Sequence, residues 1–176
     1  KKIKTVEKIV HATPAVPPAS LGFLHDVSRL YGVSLPWLLK NSLFTTSKKN
    51  LQRFTALSPP TRGERQLRLA KPAVMTHIYA NDRQRQEMLL ACLPSAGQTL
   101  VLVPEIADLN TLQEQWPAAR RRDAIFIDGH TSSAQWFAAW QRVWGGQRLV
   151  IIGTRRALWL PWRSLDAVCV LDEGHP

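Results

Sequence analysis

Between residues 99 and 171 four short runs of mostly apolar, branched residues recur, at Thr99–Val103, Ala124–Ile127, Arg148–Ile152 and Leu165–Leu171. Such runs read as strands, and Thr99–Val103, continuous and rich in branched residues, reads as a buried one. The segments between them have the length and spacing of helices, and strands joined through helices run parallel, since the chain must cross back before it can extend again. The pattern therefore predicts an α/β domain with a parallel sheet and crossover helices. Helices are expected from Asn81 or Asp82, either of which can cap the first, to about Leu93, around Leu109–Trp116, and over Ser132–Trp144. A further strand is expected at Val74–Tyr79, leading into the first of these helices.

The first 72 residues follow another pattern. Thr5–Val10 alternates weakly, as a short strand does, and Pro14, Pro17 and Pro18 then make a turn that cannot continue a sheet ladder. Ser20 can cap a helix with an apolar face of Leu21, Leu24, Val27, Leu30 and Tyr31, which Gly32 stops. Pro36 occupies the first turn of a second short helix ending near Asn41. Residues 45–72 lose periodicity and collect Ser, Thr, Pro, Gly and basic side chains, the composition of a linker. The expected organisation is a small α+β piece over 1–44, a basic linker over 45–72, and an α/β lobe over 73–176.

Charge narrows the partners. The net charge is +10, and residues 1–88 carry 15 of the 23 Lys and Arg but only 5 of the 13 Asp and Glu. A surplus concentrated in this way favours a polyanion, because each neutralised phosphate releases counterions. Nucleic acid is the leading partner. The basic stretches are broken by Pro and Gly, so they form no membrane-surface helix, and no apolar run approaches the roughly 20 residues that span a bilayer. The start Lys1-Lys2-Ile3-Lys4 is not followed by the apolar stretch of a signal peptide. Two cysteines far apart, Cys92 and Cys169, indicate neither a disulfide framework nor a zinc site. A cytoplasmic protein is expected. The absence of an initiator Met and an end at Pro176, directly after a strand, read as a piece of a longer chain.

Four motifs carry the functional reading. Val101-Leu-Val-Pro-Glu105, Asp128-Gly-His-Thr-Ser132, Ile151-Ile-Gly-Thr-Arg-Arg-Ala157 and Val170-Leu-Asp-Glu-Gly-His175 resemble, in order and spacing, the first RecA-like lobe of the PriA family of replication-restart helicases. Residues 9–44 resemble the end of that family's amino-terminal DNA-binding domain. The resemblance implies a truncated RecA-like lobe, with Asp172 on the nucleotide's magnesium, Glu173 on the attacking water, and His175 coupling nucleotide to DNA. It implies DNA contacts from Pro104 and Glu105 after one strand and from Thr154 and Arg155 after another. Each has a physical basis, since carboxylates at strand ends can hold a metal and a hydroxyl beside a guanidinium can hold a phosphate. Lys48, Lys49, Arg53, Arg62, Arg65 and Arg68 are the expected backbone contacts in the linker.

The same comparison exposes a missing part. The family holds ATP with Gly-x-x-Gly-x-Gly-Lys-Thr, whereas Thr76-His-Ile-Tyr-Ala-Asn-Asp-Arg-Gln84 stands there instead, without glycine or lysine. Arg83 or Arg85 could touch a phosphate but cannot replace a nest of amides. Residues 45–72 are also too short for the family's winged-helix domain. The expectation is a primosome-assembly protein that binds single-stranded or forked DNA and other primosome proteins, with ATP and magnesium doubtful and zinc expected only beyond residue 176. The alternatives are an active ATP-dependent 3′-to-5′ helicase and a protein-interaction scaffold. Trp136, Trp140 and Trp144 share one helix face; core packing or a partner surface is expected there ahead of base stacking.

Overall fold

The computed structural model describes residues 18–42, 73–162 and 165–171. The chain divides into two compact units, Lys1–Thr61 and Arg62–Pro176. In the first, α1 (Pro18–Tyr31) and α2 (Leu35–Ser42) form a helical hairpin. Gly32 ends α1 with φ 65, a backbone that a side chain would strain, and the Ser28 hydroxyl donates to the Val33 carbonyl at 2.7 Å. The amides of Trp37 and Leu38 then donate to Ser34 O at 3.0 and 3.1 Å, starting α2 immediately. Leu24 and Leu38 are buried, while Leu30, Tyr31 and Trp37 of the expected apolar segments stay exposed. The expected strand Thr5–Val10 lies outside the described residues.

The second unit is α/β. Its elements are α3 (Asp82–Cys92), β1 (Gln98–Leu102), α4 (Ile106–Gln115), β2 (Ala124–Ile127), α5 (Ser133–Trp144), β3 (Leu149–Gly153) and β4 (Leu165–Val170). Short 3-10 turns at Ala118–Asp123 and Arg155–Trp159, which periodicity did not signal, precede β2 and follow β3. The four strands are all parallel, in the order β2-β3-β1-β4. On one face Val101, Val103 and Ile152 pack with Leu89 of α3, Leu109 and Leu112 of α4, and Trp116. Residues of the opposite parity, such as Leu100 and its register partner Ile151, are equally buried. On their side the buried Gln98 amide donates to Val143 O of α5 at 2.8 Å and to Gln147 O at 3.3 Å.

The tryptophan face of α5 is core. Trp136 and Trp140 are 1% and 2% exposed, and Trp140 stacks on the half-buried Trp144 with centroids 5.3 Å apart. Each buried indole removes about 200 Å² from water, roughly 5 kcal/mol of gross transfer energy before entropy is counted. The stripe is therefore spent on packing and offers no base-stacking platform.

One expectation fails. Val74–Tyr79 forms no strand: residues 73–79 have no regular structure, and Val74, Met75 and Ile78 are 86%, 72% and 87% exposed. The segment meets α3 through His77 Nε2, 3.6 Å from Cys92 Sγ, and through Tyr79, whose ring lies 5.8 Å from the Arg85 guanidinium. The expected last strand is present as β4, and its burial alternates. Ala167 and Cys169 are half-buried but Val168 and Val170 are exposed, because β4 has one neighbour, β1, among the described residues.

Candidate nucleic-acid interface

Parallel strands end on one edge of their sheet, so the segments after β1, β2 and β3 share it, with that of β3 in the middle. After β1 the chain continues through Val103, whose amide donates to Gly153 O at 3.1 Å, to Pro104 and Glu105, both exposed. Glu105 caps α4 by position only. Its backbone is extended (φ −125, ψ 160), its carbonyl accepts from the Leu109 amide at 3.3 Å, and its side chain makes no capping bond. The first-turn amides of α4 are thus left without a side-chain cap from that residue, at the positive end of the helix dipole.

After β3, Gly153 is pressed against its neighbour. A Cβ there would lie 2.4 Å from Ile127 O and 3.0 Å from Ala157 Cβ, so only glycine lets β2 and β3 close at this end. The Thr154 amide then donates to Ile127 O at 3.2 Å, and Thr154 O accepts from Ala157 N at 2.9 Å. Thr154 is half-buried. Arg155 is exposed, and its guanidinium has no protein partner among the described residues. The two expected contact residues therefore leave the middle strand together, one anchored and one free.

After β2 the chain makes a tight polar loop. The Asp128 carboxylate accepts from the His130 amide at 2.9 Å and from the Thr131 hydroxyl at 3.0 Å, while the Asp128 amide donates to that hydroxyl at 2.9 Å. Partial burial would raise the Asp128 pKa, but the Thr131 hydroxyl, the amides of His130 and Thr131 and the His130 charge together outweigh it. The carboxyl is held below its ordinary value. Ser132 and Gln135 then form a capping box on α5, the Gln135 amide donating to Ser132 Oγ at 3.3 Å and the Ser132 amide to Gln135 Oε1 at 3.1 Å. The sequence reading quoted this motif but gave its residues no role. The Asp-x-x-Thr and Ser-x-x-Gln spacings were the signal that could have done so.

The start of α3 is closed by its own side chains. Asn81 Oδ1 accepts from the Gln84 amide at 2.9 Å, and the Ala80 amide donates to Gln84 Oε1 at 2.7 Å. Arg83 pairs with Glu87 at 2.9 Å, and Arg85, 8% exposed, reaches Asp82 at 3.3 Å. Both arginines that could have met a phosphate are thus engaged within the helix. Asp172, Glu173 and His175, and the linker cations Lys48, Lys49, Arg53, Arg62, Arg65 and Arg68, lie outside the described residues. Among the described residues no group of His, Cys, Asp or Glu is disposed to hold a metal ion, and no helix is long and apolar enough to cross a membrane.

Three curated proteins give significant sequence matches, and each bears the name replication restart protein PriA. The chain is 32% identical to that of Haemophilus influenzae over 83 residues, 47% of this chain and 11% of the relative. It is 28% identical to that of Buchnera aphidicola subsp. Acyrthosiphon pisum over 99 residues, 56% of this chain and 14% of the relative. With that of Synechocystis sp. it shares 24% identity over 164 residues, 90% of this chain and 20% of the relative. Over these stretches the chain is similar to PriA proteins, and it spans at most a fifth of the length of these relatives. No family model and no solved structure matches it.

Proposed function

We propose that this chain binds DNA in replication restart, through a RecA-like lobe that has kept its DNA-facing edge and lost its grip on nucleotide. The reading rests on one observation. The Arg155 guanidinium, without a partner among the described residues, the Thr154 hydroxyl, the Pro104-Glu105 corner and the uncapped start of α4 all stand on the edge shared by the strand ends. Amides and a cation set side by side suit a phosphodiester backbone and carry no base preference. Glu105 enters only through the backbone, since its carboxylate would repel phosphate. The linker cations Lys48, Lys49, Arg53, Arg62, Arg65 and Arg68 add sequence-independent affinity. The PriA relatives supply the replication context, in which primosome proteins are the further partners.

The start of α3 does not fit a triphosphate. It presents Asp82 where phosphates would sit, commits Arg83 and Arg85 to carboxylates, and has no glycine through which a backbone could close in. No hydrolytic step is therefore assigned, and Asp172 and Glu173 are read as residues of descent.

Anisotropy of labelled single-stranded and forked oligonucleotides, titrated across a salt series, tests the proposal. Binding should weaken steeply with salt, and Arg155→Ala should reduce the logarithmic salt slope by about 0.7, the increment for one single-strand phosphate. Failure to bind either DNA at low salt would sink the reading. Magnesium-dependent, micromolar binding of a fluorescent ATP analogue would sink the claim that nucleotide is lost.

A further inference from the structure

Arg155 and Arg156 are adjacent and chemically identical, yet they do different things. Arg155 points its charge to solvent. Arg156, half-buried, turns inward: Nη1 lies 3.0 Å from Thr131 O and 3.4 Å from both Asp128 O and Gly129 O. Its guanidinium carbon also sits 4.8 Å from the ring centroid of Trp136, which is itself buried in the core. One planar cation thus ties the chain leaving β3 to the loop leaving β2 and to the first turn of α5. The Nη1 donors are spent on carbonyls, and the charge rests on an aromatic face.

We propose that Arg156 is the positioning residue of this edge. It fixes the loop 128–132 against the 3-10 turn after β3, so that this loop and the Arg155 side chain face one phosphate backbone together. The inference rests on the DNA-binding reading above and adds a division of labour within the arginine pair. Lysine could not replace Arg156. All three carbonyls meet the single atom Nη1, but a point charge on a flexible stem cannot reach them while laying a flat fork on the Trp136 indole.

The test uses the 176-residue chain with Arg156→Ala, Arg156→Lys and Arg155→Ala. The readouts are the dissociation constant for a labelled single strand across a salt series, the urea midpoint, and amide exchange at Gly129–Ser132 without DNA. Both Arg156 variants should stay folded, exchange faster at Gly129–Ser132, and bind about tenfold more weakly, the loss of two or three neutral backbone contacts. Their salt slope should match that of the unaltered chain, since neutral contacts release no counterions. Arg155→Ala should lower the slope and leave the exchange alone. If Arg156→Lys restores binding while Arg156→Ala lowers the slope, Arg156 is itself a phosphate contact and the proposal falls. It falls equally if the urea midpoint drops while affinity, measured where the variants are folded, does not change. If the unaltered chain binds no DNA, the function reading fails with its positioning role, and unchanged exchange in both variants would overturn the brace as well.

Discussion

Gly153→Ala should be the most damaging single-methyl change on the candidate interface, and its cost can be worked from the geometry. A Cβ at residue 153 would sit 2.4 Å from the Ile127 carbonyl oxygen and 3.0 Å from Ala157 Cβ. The first is far inside van der Waals contact and belongs to backbone, which cannot rotate away as a side-chain tip can. Relief requires β2 and β3 to part by roughly 1 Å, judged against a carbon–oxygen contact near 3.4 Å. Overpacking of this kind costs about 1–3 kcal/mol. The same movement strains the Thr154 amide's bond to Ile127 O, 3.2 Å long, worth about 1 kcal/mol more. The expected loss is about 2–4 kcal/mol, a fall in melting temperature of roughly 10 °C or more for a domain of this size. Gly129→Ala, two residues past the end of β2 with nothing within 4 Å of its Cβ position, is the control and should change stability by less than about 0.5 kcal/mol. Urea denaturation followed by tryptophan fluorescence measures both. A Gly153→Ala loss no larger than that of Gly129→Ala would refute the close-approach argument.

Other substitutions probe the same edge. Ser132→Ala removes the acceptor for the Gln135 amide and should cost about 1 kcal/mol in urea denaturation, with Ser132→Asp largely restoring it. Asp128 has a folded pKa below its ordinary value of about 3.9, so its stabilising effect is full above that value and is lost as pH falls through the lower, folded one. Asp128→Asn should therefore flatten the stability profile below about pH 4, and an unchanged acid limb in urea midpoints would refute the assignment. Burial, with Cys92 nearby, pushes the Cys169 thiol up, so at pH 8 Cys169 should react with an aromatic disulfide reagent more slowly than a free thiol in the same buffer; equal rates in a Cys92→Ser background would contradict its placement.

Much of the lobe was legible because its signals are local. Gln98–Leu102, Ala124–Ile127 and Leu149–Gly153 are dense in branched residues, and Asn81 caps the helix it precedes, so each of these elements lies within a few residues of its expected bounds. The tryptophan stripe of α5 was legible for the same reason, since spacing of four places side chains on one face whatever covers it. The roles of Arg155 and Arg156 were not. Which of two adjacent arginines turns inward depends on where the loop after β2 places its carbonyls, a long-range fact that no local pattern encodes.

The failure at Val74–Tyr79 and the alternating burial of β4 share a physical cause. A strand is stabilised by the ladder it joins, so branched residues supply a propensity that only a neighbour can convert into structure. The segment Val74–Tyr79 has the propensity and, among the described residues, no strand beside it; β4 has one strand beside it among the described residues, so it forms but buries alternate side chains. The consequence reaches the chemistry. A phosphate loop works when a strand fixed in a sheet delivers backbone amides to the start of the next helix, and here the delivering segment is neither fixed in the sheet nor glycine-bearing. Restoring Gly-x-x-Gly-x-Gly-Lys-Thr by mutation would therefore recover the residues without the platform. Such a variant should still bind an ATP analogue no better than the unaltered chain, and micromolar binding by it would show that residue identity alone, and not the absent strand, removed the nucleotide site.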